Sequence, residues 1–226
     1  MYRALTPKVL VYILAGPVLI AFLGLICWAP PTGLMDWGAH ALKALSAGAL
    51  VVGVVAGVPP LWRIFYRLTR AHEWFYPDLS GTWEGETRSN FPLLQSLTKA
   101  AVRETEAFDA ARAEWEPRVT PVTLHITVSL FAMTMRMDPA EASSGVAEVL
   151  IPEPGHNGLP HRLGYVFEGE VHDRALTDEE SYWGAARLTY RREGEDEVLE
   201  GPYWTNRAWV TGLNTSGRIQ LRRRRR

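Results

Sequence analysis

Two long apolar runs near the start of the chain constrain its fold more than any other feature. They extend from Val9 to Trp28 and from Ala44 to Trp62, and neither contains a charged residue. Each run approaches the roughly 20 residues that an α-helix needs to cross a hydrocarbon core of about 30 Å. We therefore predict a transmembrane helical hairpin in which residues 29–43 link the two helices.

A cleaved signal peptide and a buried soluble helix are the alternative explanations for these runs. The first run is longer than the apolar region of a signal peptide, which has about 7 to 15 residues. It ends in Trp28, Ala29, Pro30 and Pro31, and a second run of similar length follows it. These features favour a pair of membrane-spanning helices.

Positive residues flank the hairpin on its outer sides. Arg3 and Lys8 precede the first run, and Arg63, Arg67 and Arg70 follow the second. Because Lys and Arg near helix ends stay on the cytoplasmic side, we expect both termini to be cytoplasmic.

Small residues recur at every fourth position of the second run, at Ala49, Gly53 and Gly57. This spacing places them on one helix face, where two backbones can approach closely within a bilayer. The stripe predicts packing against the first helix, contact with another copy of the chain, or both.

The rest of the chain has the size of one soluble domain. Its 226 residues carry a formal net charge of -1, which gives no reason to expect bulk nucleic-acid binding. The single cysteine, Cys27, excludes an intrachain disulfide and a cysteine-rich zinc site. We predict a membrane anchor over residues 1–73 and a cytoplasmic domain over residues 74–226.

From Leu79 onward, short segments of alternating residue character replace the apolar runs, and this pattern is typical of β-strands. We predict strands over residues 81–88, 122–129, 132–137, 144–151, 162–171, 182–191, 198–206 and 217–223. Closure into an antiparallel meander barrel removes exposed strand edges. The predicted fold is therefore a membrane-anchored all-β protein, with a two-helix hairpin followed by a cytoplasmic eight-stranded β-barrel.

One segment interrupts the β pattern. Residues 93–116 are rich in Ala, Glu and Arg, with apolar residues about one helical face apart, and Pro117 follows them. We predict an amphipathic helix inserted between the first two strands. It either caps one end of the barrel, which its mixed charges favour, or lies on the membrane surface.

Residue parity identifies faces of three strands that point into such a barrel. These faces carry Trp83 and Thr87 on the first strand, Tyr165 and Phe167 on the fifth, and Tyr203, Thr205 and Arg207 on the seventh. Rings, hydroxyls and a guanidinium suit a polar, ring-bearing ligand rather than a fatty chain. The alternative is that the aromatic residues only fill the core and Arg207 closes the rim.

Catalytic patterns are missing from the sequence. It contains no Gly-x-Ser-x-Gly elbow, no phosphate loop and no His pair with an intervening Glu, so we expect a protein that is not an enzyme. The histidines His125, His156, His161 and His172 do not form a zinc-binding pattern, and residues 178–180 are most simply a solvated acidic loop.

The chain ends in five arginines, residues 222–226. A short basic run in a membrane-anchored protein suits the anionic inner leaflet. A soluble, inert end and a nucleic-acid contact are the alternatives.

The order of the segments resembles one family. The two apolar runs are followed by Leu79-x-Gly81-x-Trp83-x-Gly85, Ser143-Ser144, Tyr165-Val166-Phe167, Trp183-Gly184, Leu199-x-Gly201-x-Tyr203-x-Thr205-x-Arg207 and Gly217-Arg218-Ile219-x-Leu221. This combination resembles the two-transmembrane, β-strand-rich effectors with a minimal β-barrel that belong to bacterial CBASS anti-phage systems.

The resemblance implies a function. The barrel would bind a cyclic dinucleotide made by an operon-encoded nucleotidyltransferase, and the protein would then oligomerise and disrupt the bacterial inner membrane, causing abortive infection. The implied ligand-binding residues are Trp83, Thr87, Ser143, Ser144, Tyr165, Tyr203, Thr205 and Arg207. No cofactor, metal, DNA or RNA is implied. The competing hypothesis is a membrane-tethered, lipocalin-like carrier of a lipid, haem or small metabolite.

Overall fold

The computed structural model describes residues 7–70, 76–103, 116–130, 132–139, 143–155, 159–171, 181–207, 209, 212 and 214–224. It confirms the predicted fold: two N-terminal apolar helices precede a closed antiparallel barrel of eight strands. The chain divides into two compact units, one formed by residues 1–78 and 128–133 and the other by residues 79–127 and 134–226.

The apolar helices are α1, Pro7–Trp28, and α2, Leu34–Gly57. By length and composition, residues 11–28 and 34–57 are able to cross a bilayer. The first helix agrees with the predicted run. The second was wrongly placed, because it begins ten residues before Ala44 and the link is only residues 29–33.

Polar residues explain the early start of α2. The backbone N–H and hydroxyl of Thr32 donate to Asp36 Oδ2 at 3.1 and 2.6 Å. The ring nitrogens of His40 lie 2.7 Å from the Asp36 carbonyl oxygen and 2.8 Å from that of Ala29. An acid in the first turn also favours the helix N-terminus. These polar contacts extend the helix beyond the charge-free run on which the prediction was based.

The second helix also ends earlier than predicted. Val58 is extended, with φ -94° and ψ 110°, and a separate helix, α3, spans Pro59–Leu68. Proline disfavours a helical conformation in the residue before it and is well accommodated in a first helical turn. The two prolines therefore end α2 and begin α3, which places Trp62 outside the second apolar helix.

Helices α1 and α2 pack through small residues. Ala44, Gly48, Val52 and Ala56 are the buried residues of α2, and a Cβ added at Gly48 would collide with Val18 of α1. This close approach is the packing that small residues permit between membrane helices.

The strands are β1 Gly81–Ser89, β2 Arg118–Val128, β3 Met133–Pro139, β4 Ser143–Glu153, β5 Arg162–Val171, β6 Ser181–Glu193, β7 Asp196–Thr205 and β8 Ser216–Arg223. Each strand neighbours the next, and β8 pairs with β1 to close the barrel, for example Thr87 with Ile219. The barrel core includes Trp83, Leu124, Leu163, Leu188 and Leu221, each at most 1% exposed.

The predicted helical insert is present in part. Helix α4 spans Phe91–Arg103, and Leu94 N–H donates to the Asn90 carbonyl oxygen at 3.2 Å. Residues 104–115 lie outside the described part of the chain, whereas Glu116 is not helical. Whether α4 caps the barrel remains a prediction.

Three of the terminal arginines belong to the barrel. Arg222 pairs with Asp196 at 3.1 Å, Arg223 with Glu197 at 2.8 Å and Arg224 with Glu84 at 3.0 Å. The described part of the basic end is therefore paired with carboxylates of β1 and β7, and its contact with the anionic leaflet stays a prediction. Residues 225 and 226 lie outside the described part.

Candidate ligand site

The connections between strands divide the barrel into two ends. At one end, residues 129–132, 154–161 and 194–195 join the strands. At the other, here called the loop end, the connecting residues are 90–117, 140–142, 172–180 and 206–215. Barrel mouths and their loops often hold ligands, so polar groups inside the loop end define the candidate site.

Tyr203 of β7 lies inside this end of the barrel. Burial raises the pKa of its phenol, whereas hydrogen bonds with the Ser89 and Thr87 side chains of β1 lower it. The hydroxyl of Thr87 also reaches the Thr120 carbonyl oxygen at 3.4 Å. Two hydroxyls of β1 thus meet the phenol of a β7 tyrosine.

Tyr165 of β5 lies deeper, and its side chain is buried. Its hydroxyl has no hydrogen-bond partner within the described part of the chain. Burial raises the pKa of this phenol, and the nearby Tyr203 raises it further. A buried, unpaired hydroxyl is costly, which makes Tyr165 a candidate for contact with a polar ligand.

Aromatic rings connect Tyr165 to the rim. The ring centroids of Tyr165 and Phe167 are 5.8 Å apart, and Phe167 meets Tyr182 edge to face at 6.4 Å. The Arg207 guanidinium lies over the Tyr182 ring at 5.7 Å from its centroid. A Cβ at Gly169 would collide with the Tyr182 ring, so this glycine makes room for the ring. Rings beside a guanidinium are groups that stack on bases and bind phosphate.

Thr205 is buried at the end of β7 and already has a polar partner. Its hydroxyl lies 2.9 Å from the Thr215 hydroxyl, and its N–H donates to the Thr215 carbonyl oxygen at 2.9 Å. It therefore shapes the β7–β8 connection.

Trp83 does not join this group. It precedes Thr87 by four residues, or about 13 Å along the strand, toward the opposite end of the barrel. Its indole N–H donates to the Leu79 carbonyl oxygen at 3.0 Å, and the Arg223 guanidinium lies 4.8 Å from its ring centroid. Because Trp83 is fully buried in these contacts, the structure assigns it to the core.

Ser143 and Ser144 open β4 at the loop end, where they pair with Val171 and Glu170 of β5. The structure places their backbone at the loop end. Their side chains lie outside the described part.

The deeper interior is filled by side chains. A cavity of about 10 Å³ lies among Leu124, Met135, Met137, Ala147, Tyr165 and Phe167. This volume is close to the minimum of about 10–15 Å³ that one water needs, and far below the roughly 300 Å³ of a small ligand pocket. Within the described part of the barrel, this cavity is too small for a ligand of that size, and the candidate site is therefore the loop end.

The sequence reasoning missed two residues of this group. Ser89 has the same parity as Thr87 and extends the same inward face of β1. Tyr182 alternates with the buried residues Gly184, Ala186 and Leu188 of β6. Extending the parity argument to these positions would have found both.

The stripe on α2 lies away from α1. Ala49, Gly53 and Gly57 are exposed in the structure. Open space surrounds a Cβ added at either glycine. The residue before each member of the stripe is buried, namely Gly48, Val52 and Ala56. The stripe itself is therefore available for other contacts.

Together, these features define a class: an eight-stranded barrel with an aromatic and hydroxyl-rich loop end, preceded by two helices able to cross a bilayer. A curated protein of Escherichia albertii named CD-NTase-associated protein 15 is 26% identical to this chain over 188 residues. The match covers 81% of this chain and 82% of the relative, more than the barrel unit alone contains. No protein-family model and no solved structure matches the chain.

Proposed function

We propose that this chain is an anti-phage defence effector that binds a cyclic dinucleotide at the loop end, self-associates and disrupts the bacterial inner membrane. The likeness to a protein named for association with a CD-NTase supports the defence role. It also supports partnership with a nucleotidyltransferase that makes the ligand. The proposed role is not catalytic, and both chain termini lie on the cytoplasmic side.

One observation carries the ligand proposal: the unpaired Tyr165 hydroxyl lies beside the Tyr203 phenol, below a rim that carries Arg207. A cyclic dinucleotide supplies hydrogen-bonding edges, stacking faces and phosphates to these groups. The hydrocarbon chain of a fatty acid supplies none of these polar partners, and the described interior has no volume for a buried haem. The proposed dinucleotide lies at the loop end, where the polar groups are.

Two exposed surfaces support self-association. The outer wall of the barrel exposes Trp183 and Trp204 by 42% and 52%, and Trp209 in the β7–β8 connection is 63% exposed. Aromatic residues in exposed patches often mark protein interfaces. In the helices, the stripe of Ala49, Gly53 and Gly57 offers a close-packing face to another copy.

A ligand shifts assembly only through its different affinity for the free and assembled states. We infer that the dinucleotide orders the loop end and favours contact between barrels. Such contact raises the local concentration of the hairpins and drives the α2 stripes together.

The function is tested in bacteria that express the full chain with a dinucleotide-producing nucleotidyltransferase or with its catalytically inactive variant. We expect dye entry and growth arrest only with the active partner. The variants Arg207→Ala and Tyr203→Phe should weaken this response. Equal killing with the inactive partner, or intact membranes with the active one, would contradict the proposal.

A further inference from the structure

Helix α3 is a separate element that the apolar-run analysis did not foresee. Its 10 residues, Pro59–Leu68, extend about 15 Å, half the thickness of a hydrocarbon core. It cannot cross a bilayer, so its apolar residues need another environment.

The helix has two different apolar faces. Trp62 and Tyr66, one turn apart, are each 2% exposed, and the Tyr66 hydroxyl donates to the Tyr76 carbonyl oxygen at 2.6 Å. A second face, formed by Leu61, Ile64 and Leu68, is 38%, 55% and 80% exposed. The first face is explained by protein contacts, whereas the second is a continuous stripe of aliphatic side chains at the surface.

Two arginines occupy the remaining arc of α3. Arg63 and Arg67 lie one turn apart, and both point toward Asp78, at 3.3 and 3.9 Å. The Arg67 side chain is 60% exposed and its contact with Asp78 is long, so its guanidinium is able to reach a further anion.

Exposed apolar residues precede the aliphatic stripe along the chain. Val54 of α2 and Val58, the extended residue between the two helices, are 44% and 41% exposed, and Leu61 follows in the first turn of α3. Exposed apolar residues thus follow one another along the chain from a helix able to cross a bilayer onto α3, without an intervening charge. A partner protein would have to cover α3 and the end of α2 together.

We propose that α3 is an interfacial helix, with Leu61, Ile64 and Leu68 immersed in the bilayer and Arg67 at the phosphate level of anionic phospholipids. An apolar stripe bordered by arginines is the pattern of helices that lie in the membrane surface. Because Tyr66 and Arg63 hold residues 76–78 on the other side of α3, this helix fixes at the membrane surface the segment that leads into β1. The inference rests on the proposed membrane anchoring.

The test places spin labels on the full chain in vesicles of phosphatidylcholine and phosphatidylglycerol. In a Cys27→Ser background, single cysteines replace Leu61, Ile64 or Leu68. Leu50→Cys on α2, 69% exposed, is the lipid reference, and Glu84→Cys on the barrel is the aqueous reference. The measured quantity is the ratio of collisions with oxygen to collisions with a nickel chelate.

We expect the three α3 labels to resemble Leu50→Cys, with ratios several-fold above that of Glu84→Cys. Ratios equal to the aqueous reference, or exclusion of both reagents by a protein contact, would overturn the proposal. If the Leu50→Cys label also gives the aqueous ratio, the proposed membrane anchoring is wrong as well. An aqueous ratio at the α3 labels alone would overturn only the interfacial position of α3.

The headgroup contact is tested with the Ile64 label. We expect a higher ratio in vesicles containing phosphatidylglycerol than in pure phosphatidylcholine, and Arg67→Gln should abolish this difference. If the Ile64 label gives equal ratios in the two lipid compositions while Arg67 is still present, the proposed contact with anionic lipid is wrong.

Discussion

At the residue scale, Tyr165 links the packing of the barrel to its proposed ligand. Its ring fills the interior with Phe167, whereas its enclosed hydroxyl has no partner in the described part of the chain. An unpaired buried hydroxyl costs about 1–3 kcal/mol of stability. A polar ligand at the loop end would offset that cost. Removal of the hydroxyl should therefore affect the stability of the free protein and the binding of the ligand in different ways.

Tyr165→Phe should therefore leave the stability of the ligand-free protein unchanged or raise it by about 1 kcal/mol, while weakening dinucleotide binding about tenfold. The matched control is Tyr190→Phe. The Tyr190 hydroxyl donates to Glu197 at 2.6 Å, so its removal should lower stability and spare binding. Thermal unfolding measures the stability, and calorimetric titration measures the dinucleotide affinity. Loss of stability in Tyr165→Phe with unchanged affinity would contradict the proposed contact of Tyr165 with the ligand.

The tyrosines also predict a pH dependence. Burial raises the folded-state pKa of Tyr66, Tyr165, Tyr190 and Tyr203 above the value of about 10 in an unfolded chain. Their neutral forms thus contribute stability that is complete below about pH 10 and is lost as the pH rises toward the folded-state pKa. We expect the unfolding temperature to fall steeply above pH 10, and Tyr165→Phe to reduce the slope. A slope unaffected by this variant would contradict the burial argument.

Residue parity was a good guide to the inside of the barrel, because side chains on a strand must alternate between its faces. It correctly placed Thr87, Tyr165, Phe167 and Tyr203 inside. It could not separate Trp83 from them, because parity assigns a face and not a depth. The role of these residues in binding remains a prediction.

At the element scale, the α2 helix has two neighbouring stripes with different surroundings. Gly48 packs against Val18, whereas Gly53 faces open space. The two glycines lie in the same helix, so they form a matched pair for substitution.

Gly48→Leu should disturb the α1–α2 hairpin and lower the amount of folded protein, because a side chain there collides with Val18. Gly53→Leu should leave folding and ligand binding unchanged but reduce crosslinked oligomers and killing. Membrane fractionation, crosslinking and growth assays compare the two variants. Undiminished killing by Gly53→Leu would count against a role for the stripe in self-association.

Element boundaries were predicted well where alternation is regular. The fifth strand was predicted as residues 162–171 and is Arg162–Val171. Boundaries failed where a polar contact or a proline decided them: Thr32 and Asp36 begin α2 early, and Val58 interrupts the second apolar run. Such local interactions are invisible to a search for apolar residues.

At the scale of the whole molecule, the proposed function connects dinucleotide binding to membrane damage through assembly. The barrel unit supplies the candidate site and an exposed tryptophan surface, and the helical unit supplies the apolar helices and their free stripe. The topology was predictable from the sequence, because eight alternating segments favour closure. The filled interior was not, since packing depends on how side chains from different strands fit together.

The most direct test of the account is the thermal unfolding of the detergent-purified full chain against a panel of cyclic dinucleotides, a fatty acid and haem. A ligand at 100 times its dissociation constant should stabilise the protein by about 2.7 kcal/mol, which raises the unfolding temperature by several degrees. The account predicts this shift for at least one dinucleotide, and its loss in Arg207→Ala. A shift with haem or the fatty acid, and with none of the dinucleotides, would contradict it and favour a membrane-tethered carrier.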